Sequence, residues 1–424
     1  MANDWNDVRY ELDRSENFSD IFNSPWYSDA AYDSFSEAEF ARRHALAREL
    51  MARDGFDALI LTGSQNIYSL GSGVTWGCGL IDDRGMCQYL VLPLEGQPTL
   101  IYPHPGCHIE AVRRMVSISD VRGGQGGHYG KAIADRLTEL GLSAGRVGVT
   151  ASDNNGPEFM GAAAYLELRT CIPEAEVVFA PGLFHEMTVR KRGEEIEAMR
   201  RGGHLAVAAQ DVIAKVARPG MHEYELEAAG TQAVLAGGGR VHLMMIGSTS
   251  MADPRLMYPN PNPSARVLQE GDVILTEIAA AYLGYSAKLG HPVTIGEPTA
   301  ETQKFHKDVT LPAFNAIEAI LVPGTPLTDV QRAGQTFREV GAQSRPMVFH
   351  GIDMITAGPK VMVHGVAAKD YEQELMPGMV VNVEATPISA DGSFGSFLSR
   401  SYVITEEGAD NLTPYPTGEI TVAG

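Results

Sequence analysis

Gly271-Asp272-Val273-Ile274-Leu275-Thr276-Glu277 and Gly378-Met379-Val380-Val381-Asn382-Val383-Glu384 share one pattern: a glycine, a β-type apolar run, and a glutamate six residues on. Runs of this kind read as strands. A carboxylate ending an otherwise apolar strand is costly to bury unless it is paired. Here it occurs twice, at equivalent places. Further out, Arg218-Pro219-Gly220-Met221 precedes a helix containing Tyr224 to Ala229, and Val322-Pro323-Gly324-Thr325 precedes another beginning near Thr328. The repeat predicts one domain of two pseudo-symmetric halves, which bring Glu277 and Glu384 toward a shared cleft.

Upstream the pattern changes. Ser36 and Glu39 read as a capping box for a helix with Phe40, His44, Ala47, Leu50 and Met51 at helical spacing. Strands follow at Ala58 to Thr62, Gln88 to Pro93, Thr99 to Tyr102, Val147 to Thr150 and Val177 to Phe179, alternating with helical stretches such as Tyr129 to Leu140. That is an α/β domain. A long charged helix from Val189 to Ala208 suits a link between domains, and the boundary falls near Glu186. The expected layout is an acidic, aromatic-rich arm over 1–36, a first domain over 37–186 and a second over 187–424. Taken together this is an α+β protein.

Composition agrees with two folded domains. The 424 residues are 44% hydrophobic and 20% charged, ordinary values for a globular chain. No apolar run approaches the roughly 18 residues that would span a bilayer, and the acidic start does not resemble a secretory signal. A cytoplasmic location is expected. The net charge of -20 argues against nucleic acid and anionic membrane as partners. Cys78, Cys87, Cys107 and Cys171 match no zinc spacing and read as reduced, buried fillers.

At this point the chain resembles the creatinase/aminopeptidase P family, from about Phe40 to Thr413. The resemblance lies in ordered blocks: Gly55 to Thr62 with Asn66 to Gly71, Val189 to Arg200, Glu270 to Tyr285, His350-Gly351-Ile352, Met376 to Glu384, and Thr405 to Thr413. It implies a creatinase-type N-terminal α/β domain, a C-terminal pita-bread domain and a homodimer. Metal-dependent members of the family hold two divalent ions with two aspartates, a histidine and two glutamates. Those places hold Glu277, Lys288, His350, Glu384 and Ser399 here, so three of the five differ. A protonated lysine has no lone pair to give a metal and carries charge of the wrong sign. No metal and no other cofactor is therefore expected.

The resemblance then implies side-chain acid/base chemistry on a small polar compound. His350, Glu384, Glu277 and Lys288 are the candidate catalytic residues, with His291 as an outside one. Candidate substrate contacts are Asn260, Tyr258, Arg400 and His364, together with Arg84 and Trp76 offered by the partner's N-terminal domain. Asn260 and Ala357 stand where the family's metal-free branch has histidines, so its reaction is not expected in unchanged form. Metal-independent hydrolysis of a non-peptide carbon–nitrogen bond leads. A metal-free lyase and a non-catalytic ligand-binding remnant stay open, and a peptidase follows behind them.

Overall fold

Turn chemistry sets the frame of the second half of the chain. Gly220 and Gly324 hold φ of 90° and 84°, and Gly271 and Gly378 hold 82° and 88°, a left-handed conformation that only glycine adopts without strain. Each pair falls at equivalent points of the sequence repeat. At Gly378 a Cβ would also lie 2.7 Å from the Lys191 carbonyl oxygen. The repeat is thus a repeat of turns as well as of strands.

The structure, a computed structural model, describes residues 31–63, 65–66, 69–70, 72–81, 87–103, 107–150, 160–354 and 356–424. Most of the predicted aromatic arm and Arg84 lie outside them. Two compact units divide the chain, Met1–Met187 and Thr188–Gly424. No described helix is long and apolar enough to cross a membrane.

The first unit opens with α1 (Glu37–Asp54), where the Ser36 hydroxyl accepts from Glu39 N–H. Only half of the expected capping box forms, because the Glu39 carboxylate is drawn to Arg42 and Arg43 instead. Six strands build its main sheet: β1 (Ala58–Gly63), β2 (Gln88–Pro93), β3 (Thr99–Tyr102), β4 (Asp120–Gly123), β5 (Arg146–Val149) and β6 (Glu176–Phe179). They pair in the order β4-β3-β2-β1-β5-β6. α2 (Tyr129–Glu139) and α3 (Ala162–Cys171) cover the sheet through Ile133, Leu137 and Leu168. Cys78 is buried, but Cys171 at the end of α3 is exposed, which corrects the expectation of buried cysteines.

In the second unit α4 (Gly193–Val216) and α5 (Glu223–Ala236) lead into β7 (Arg240–Ser250), β8 (Asp272–Tyr282) and β9 (Tyr285–Thr294). After α6 (Leu311–Glu318) come β10 (Met347–Ile352), β11 (Thr356–Met362), β12 (Gly365–Ala367), β13 (Val380–Ala385) and β14 (Leu398–Ile404). These strands form one sheet in the order β12-β11-β10-β13-β14-β9-β8-β7. Its register makes the repeat explicit. Glu277 of β8 faces Gly290 of β9, Glu384 of β13 faces Ser399 of β14, and Gly290 faces Ser399 where the halves meet. The two glutamates are therefore equivalent about that central pair.

Alternation along each strand then sorts the side chains. Ile274, Ile278, Leu289 and Val293 pack under Ala206, Ala209 and Ile213 of α4 in one half. In the other half Phe349, Val381 and Val383 pack under Phe314 and Ile317 of α6. The opposite face of the sheet carries Glu277, Lys288, His350 and Glu384.

Candidate active site

Two adjacent rows of residues cross that opposite face. One row reads Glu277, Gly290, Ser399, Glu384. Two residues along each strand, the next reads Ala279, Lys288, Ser401, Asn382, His350. Lys288 thus lies diagonal to Glu277, within reach of a long side chain.

Lys288 Nζ donates to Glu277 Oε1 at 2.7 Å, donates to Glu384 Oε1, and lies 3.0 Å from His350 Nε2. The His350 tautomer follows from its partners. Nδ1 lies 2.7 Å from the Gly351 carbonyl oxygen, which can only accept, so Nδ1 carries the proton and Nε2 offers its lone pair to the ammonium. All three lysine donors are then engaged.

Burial would discharge Lys288, but the charges of Glu277 and Glu384 outweigh it and raise its pKa above the ordinary value. Burial likewise pushes the Glu384 carboxyl up, and the nearby charge of Lys288 overcomes that, holding it well below the ordinary range. Asn382 Nδ2 donates to Glu384 Oε1 at 3.2 Å and to Ser399 Oγ at 2.8 Å, while its Oδ1 accepts from Ser401 at 3.1 Å. Glu384 Oε2 has no hydrogen-bond partner among the described residues.

Tyr258 closes one side. Its hydroxyl donates to Glu277 Oε2, and its ring meets Phe397 edge-on with centroids 5.0 Å apart. Phe397 in turn fills the space left by the missing side chain at Gly290. Burial, and then the charges of Glu277 and Glu384, push the Tyr258 phenol well above its ordinary pKa, so it stays a donor. Asn260 is half-buried and packs on Gly247, where a Cβ would lie 3.0 Å from its amide nitrogen. The loop bearing both residues is pinned by buried Glu223, which accepts from the backbone and hydroxyl of Ser248 and of Ser264 at 2.6–2.9 Å.

Glu277, Lys288, His350, Glu384 and Tyr258 are therefore brought together, but other expected residues are not. Arg400 is the main correction. One residue past Ser399 it points through the sheet, is fully buried, and donates to the carbonyls of Gly290, Ser399, Tyr415 and Pro416 at 2.7–3.1 Å. Burial lowers its pKa to about 10. His291 faces the same way, with Nδ1 3.3 Å from Arg400 Nη2, and burial holds its pKa well below the ordinary value. His364 lies exposed in the turn between β11 and β12. The Trp76 ring is fully buried, edge-on to Phe184.

Asn382, Ser401 and Arg345 were missed by sequence reasoning. Asn382 stands two residues before Glu384, so strand alternation could have found it. For Arg345, whose guanidinium carbon lies 3.6 Å over the Tyr258 ring centroid, no local signal exists.

A pseudo-symmetric curved sheet with helices on one face and a polar cluster on the other is the pita-bread architecture. Residues 197–406 match the model of metallopeptidase family M24. The chain is 24% identical over 400 residues to the probable dipeptidase PepE of Mycobacterium tuberculosis, covering 92% of this chain and 98% of the relative. It is 23% identical to the creatinase of a Bacillus species, covering 91% and 93%. Among solved structures, the X-Pro aminopeptidase of Thermotoga maritima aligns with a TM-score of 0.73 at 20% identity, covering 89% of this chain and 99% of that one.

The family name implies metal ions, and the residues present do not fit them. The point where Glu277, His350 and Glu384 converge is taken by the Lys288 ammonium, which has no lone pair to donate. Ser399 Oγ, at the remaining expected ligand place, is bonded to Asn382.

Proposed function

We propose that the chain is a metal-independent hydrolase that cleaves a non-peptide carbon–nitrogen bond in a small polar compound bearing a carboxylate, amidine or guanidine group. The observation that carries this reading is the Lys288 ammonium at the centre of Glu277, His350 and Glu384. The peptidase names of the mycobacterial and Thermotoga relatives support hydrolysis as the reaction class, and creatinase supports a small-molecule substrate. A homodimer in the cytoplasm, without nucleic-acid or membrane partners, belongs to the same proposal.

Glu384 Oε2 accepts the proton of the attacking water, whose oxygen bonds to the substrate carbon. Because the Glu384 carboxyl is strongly acidic, the proton passes on to His350 Nε2, 3.1 Å from its other oxygen. Lys288 offsets the negative charge developing on the substrate and then protonates the departing nitrogen. His350 returns its proton to Lys288 across 3.0 Å, which closes the cycle.

The test is turnover of a panel of N-carbamoyl, N-acyl and guanidino acids and ureides in oxygen-18 water, with and without chelator. Labelled product at an unchanged rate in chelator, lost in H350A and E384Q, is expected. Two tightly bound divalent ions per subunit with chelator-sensitive activity would return the chain to peptidase chemistry. Product without label would make it a lyase.

A further inference from the structure

Lys288 points its three donors at Glu277, His350 and Glu384 and gives up a proton only to the departing nitrogen, so it does not hold a substrate carboxylate, and Arg400 lies on the far face of the sheet. Among the described residues, Arg345 is a cation beside the site with donors to spare. We infer that Arg345 is the anchor for a single carboxylate group of the substrate, a role for a residue outside the metal-ligand positions of the sheet.

Its placement is fixed from two sides. Arg345 N–H donates to the Thr386 carbonyl at 3.2 Å, which ties it beside the end of β13, two residues past Glu384. Its guanidinium stacks 3.6 Å over the ring of Tyr258, whose hydroxyl bonds Glu277. The cation therefore lies one ring's depth from the carboxylate cluster.

Its donors are unused. The guanidinium makes no hydrogen bond or ion pair among the described residues, and Nη1 is buried without an acceptor there. Arg266 shows the contrast, with both terminal nitrogens on Asp272 at 2.5 and 2.8 Å. A half-buried fork held over an aromatic ring is positioned for a planar, bidentate acceptor. Charge selects the type of anion. Glu277, Glu384, Lys288 and Arg345 sum to zero, so a monoanion meets less repulsion beside the two carboxylates than a phosphate dianion would. The remaining carboxylates favour a neutral or cationic group at the reacting end.

This inference rests on reading the face as a substrate site, and its test needs neither turnover nor metal. Binding of N-acetylglycine and of uncharged N-acetylglycinamide is measured by calorimetry in chelator at fixed ionic strength. The wild type is expected to prefer the acid at least tenfold, R345Q to bind both equally, and R345K to fall between. Should R345Q fail to fold, R345K carries the test with an expected loss of at least threefold in the preference. A wild type indifferent to the charge, or a substitution that leaves the preference intact, overturns the anchor. Chelator-sensitive turnover, which would end the metal-independent reading, leaves this result unaffected.

Discussion

Lys288 is the residue on which the site's electrostatics turn. Removing one partner of a buried ion cluster leaves the others uncompensated, so K288M is expected to lose about 3–5 kcal/mol of stability in urea denaturation. The pH dependence follows in sign from the same cluster. Glu384 has a folded pKa depressed below its ordinary 4.5, so its contribution is complete above about pH 4.5 and fades as acid approaches the folded value. Lys288 has a folded pKa raised above 10.5, so its contribution is complete below that pH and fades as alkali passes the folded value. Urea midpoints between pH 2 and 6 should fall more steeply for wild type than for E384Q. Parallel curves would mean that the cluster does not contribute to the acid limb.

Among the elements, the strands present the site and the loops complete it. Glu277 and Glu384 were legible because period-two alternation and a glycine turn recur together, and strand pairing does the rest. The same alternation explains the misreading of Arg400, since one step along a strand reverses the face. Arg345 and the burial of Trp76 were not legible, because each depends on tertiary neighbours that no local pattern encodes. Gly290 tests the strand geometry. A methyl group there collides with Phe397 and lies 3.0 Å from the Thr276 carbonyl, so G290A should cost about 1–3 kcal/mol in thermal melts. Glu223 tests the loop. E223A abandons four hydrogen bonds that hold the segment bearing Tyr258, and limited proteolysis should then cut between Ala252 and Ser264 faster than in wild type.

At the scale of the whole molecule, Lys288 bridges the glutamates of the two halves of the second unit, and this gives a measurement that needs no substrate. A ligand that binds only the folded chain stabilises it by about 2.7 kcal/mol at a hundred times its Kd, a rise of roughly 5–11 °C in Tm for a domain of this size. Wild type should show no saturable rise with manganese or zinc, because the ammonium repels the ion and offers no lone pair. In K288D the charge is reversed, and Glu277, Asp at 288, His350 and Glu384 supply oxygen and nitrogen donors suited to a divalent ion. That variant should gain a saturable, chelator-reversible rise in Tm, and H350A in the same background should remove it. A saturable rise in wild type that H350A abolishes would show that the lysine yields its place to metal, and the proton-transfer scheme would fall with it.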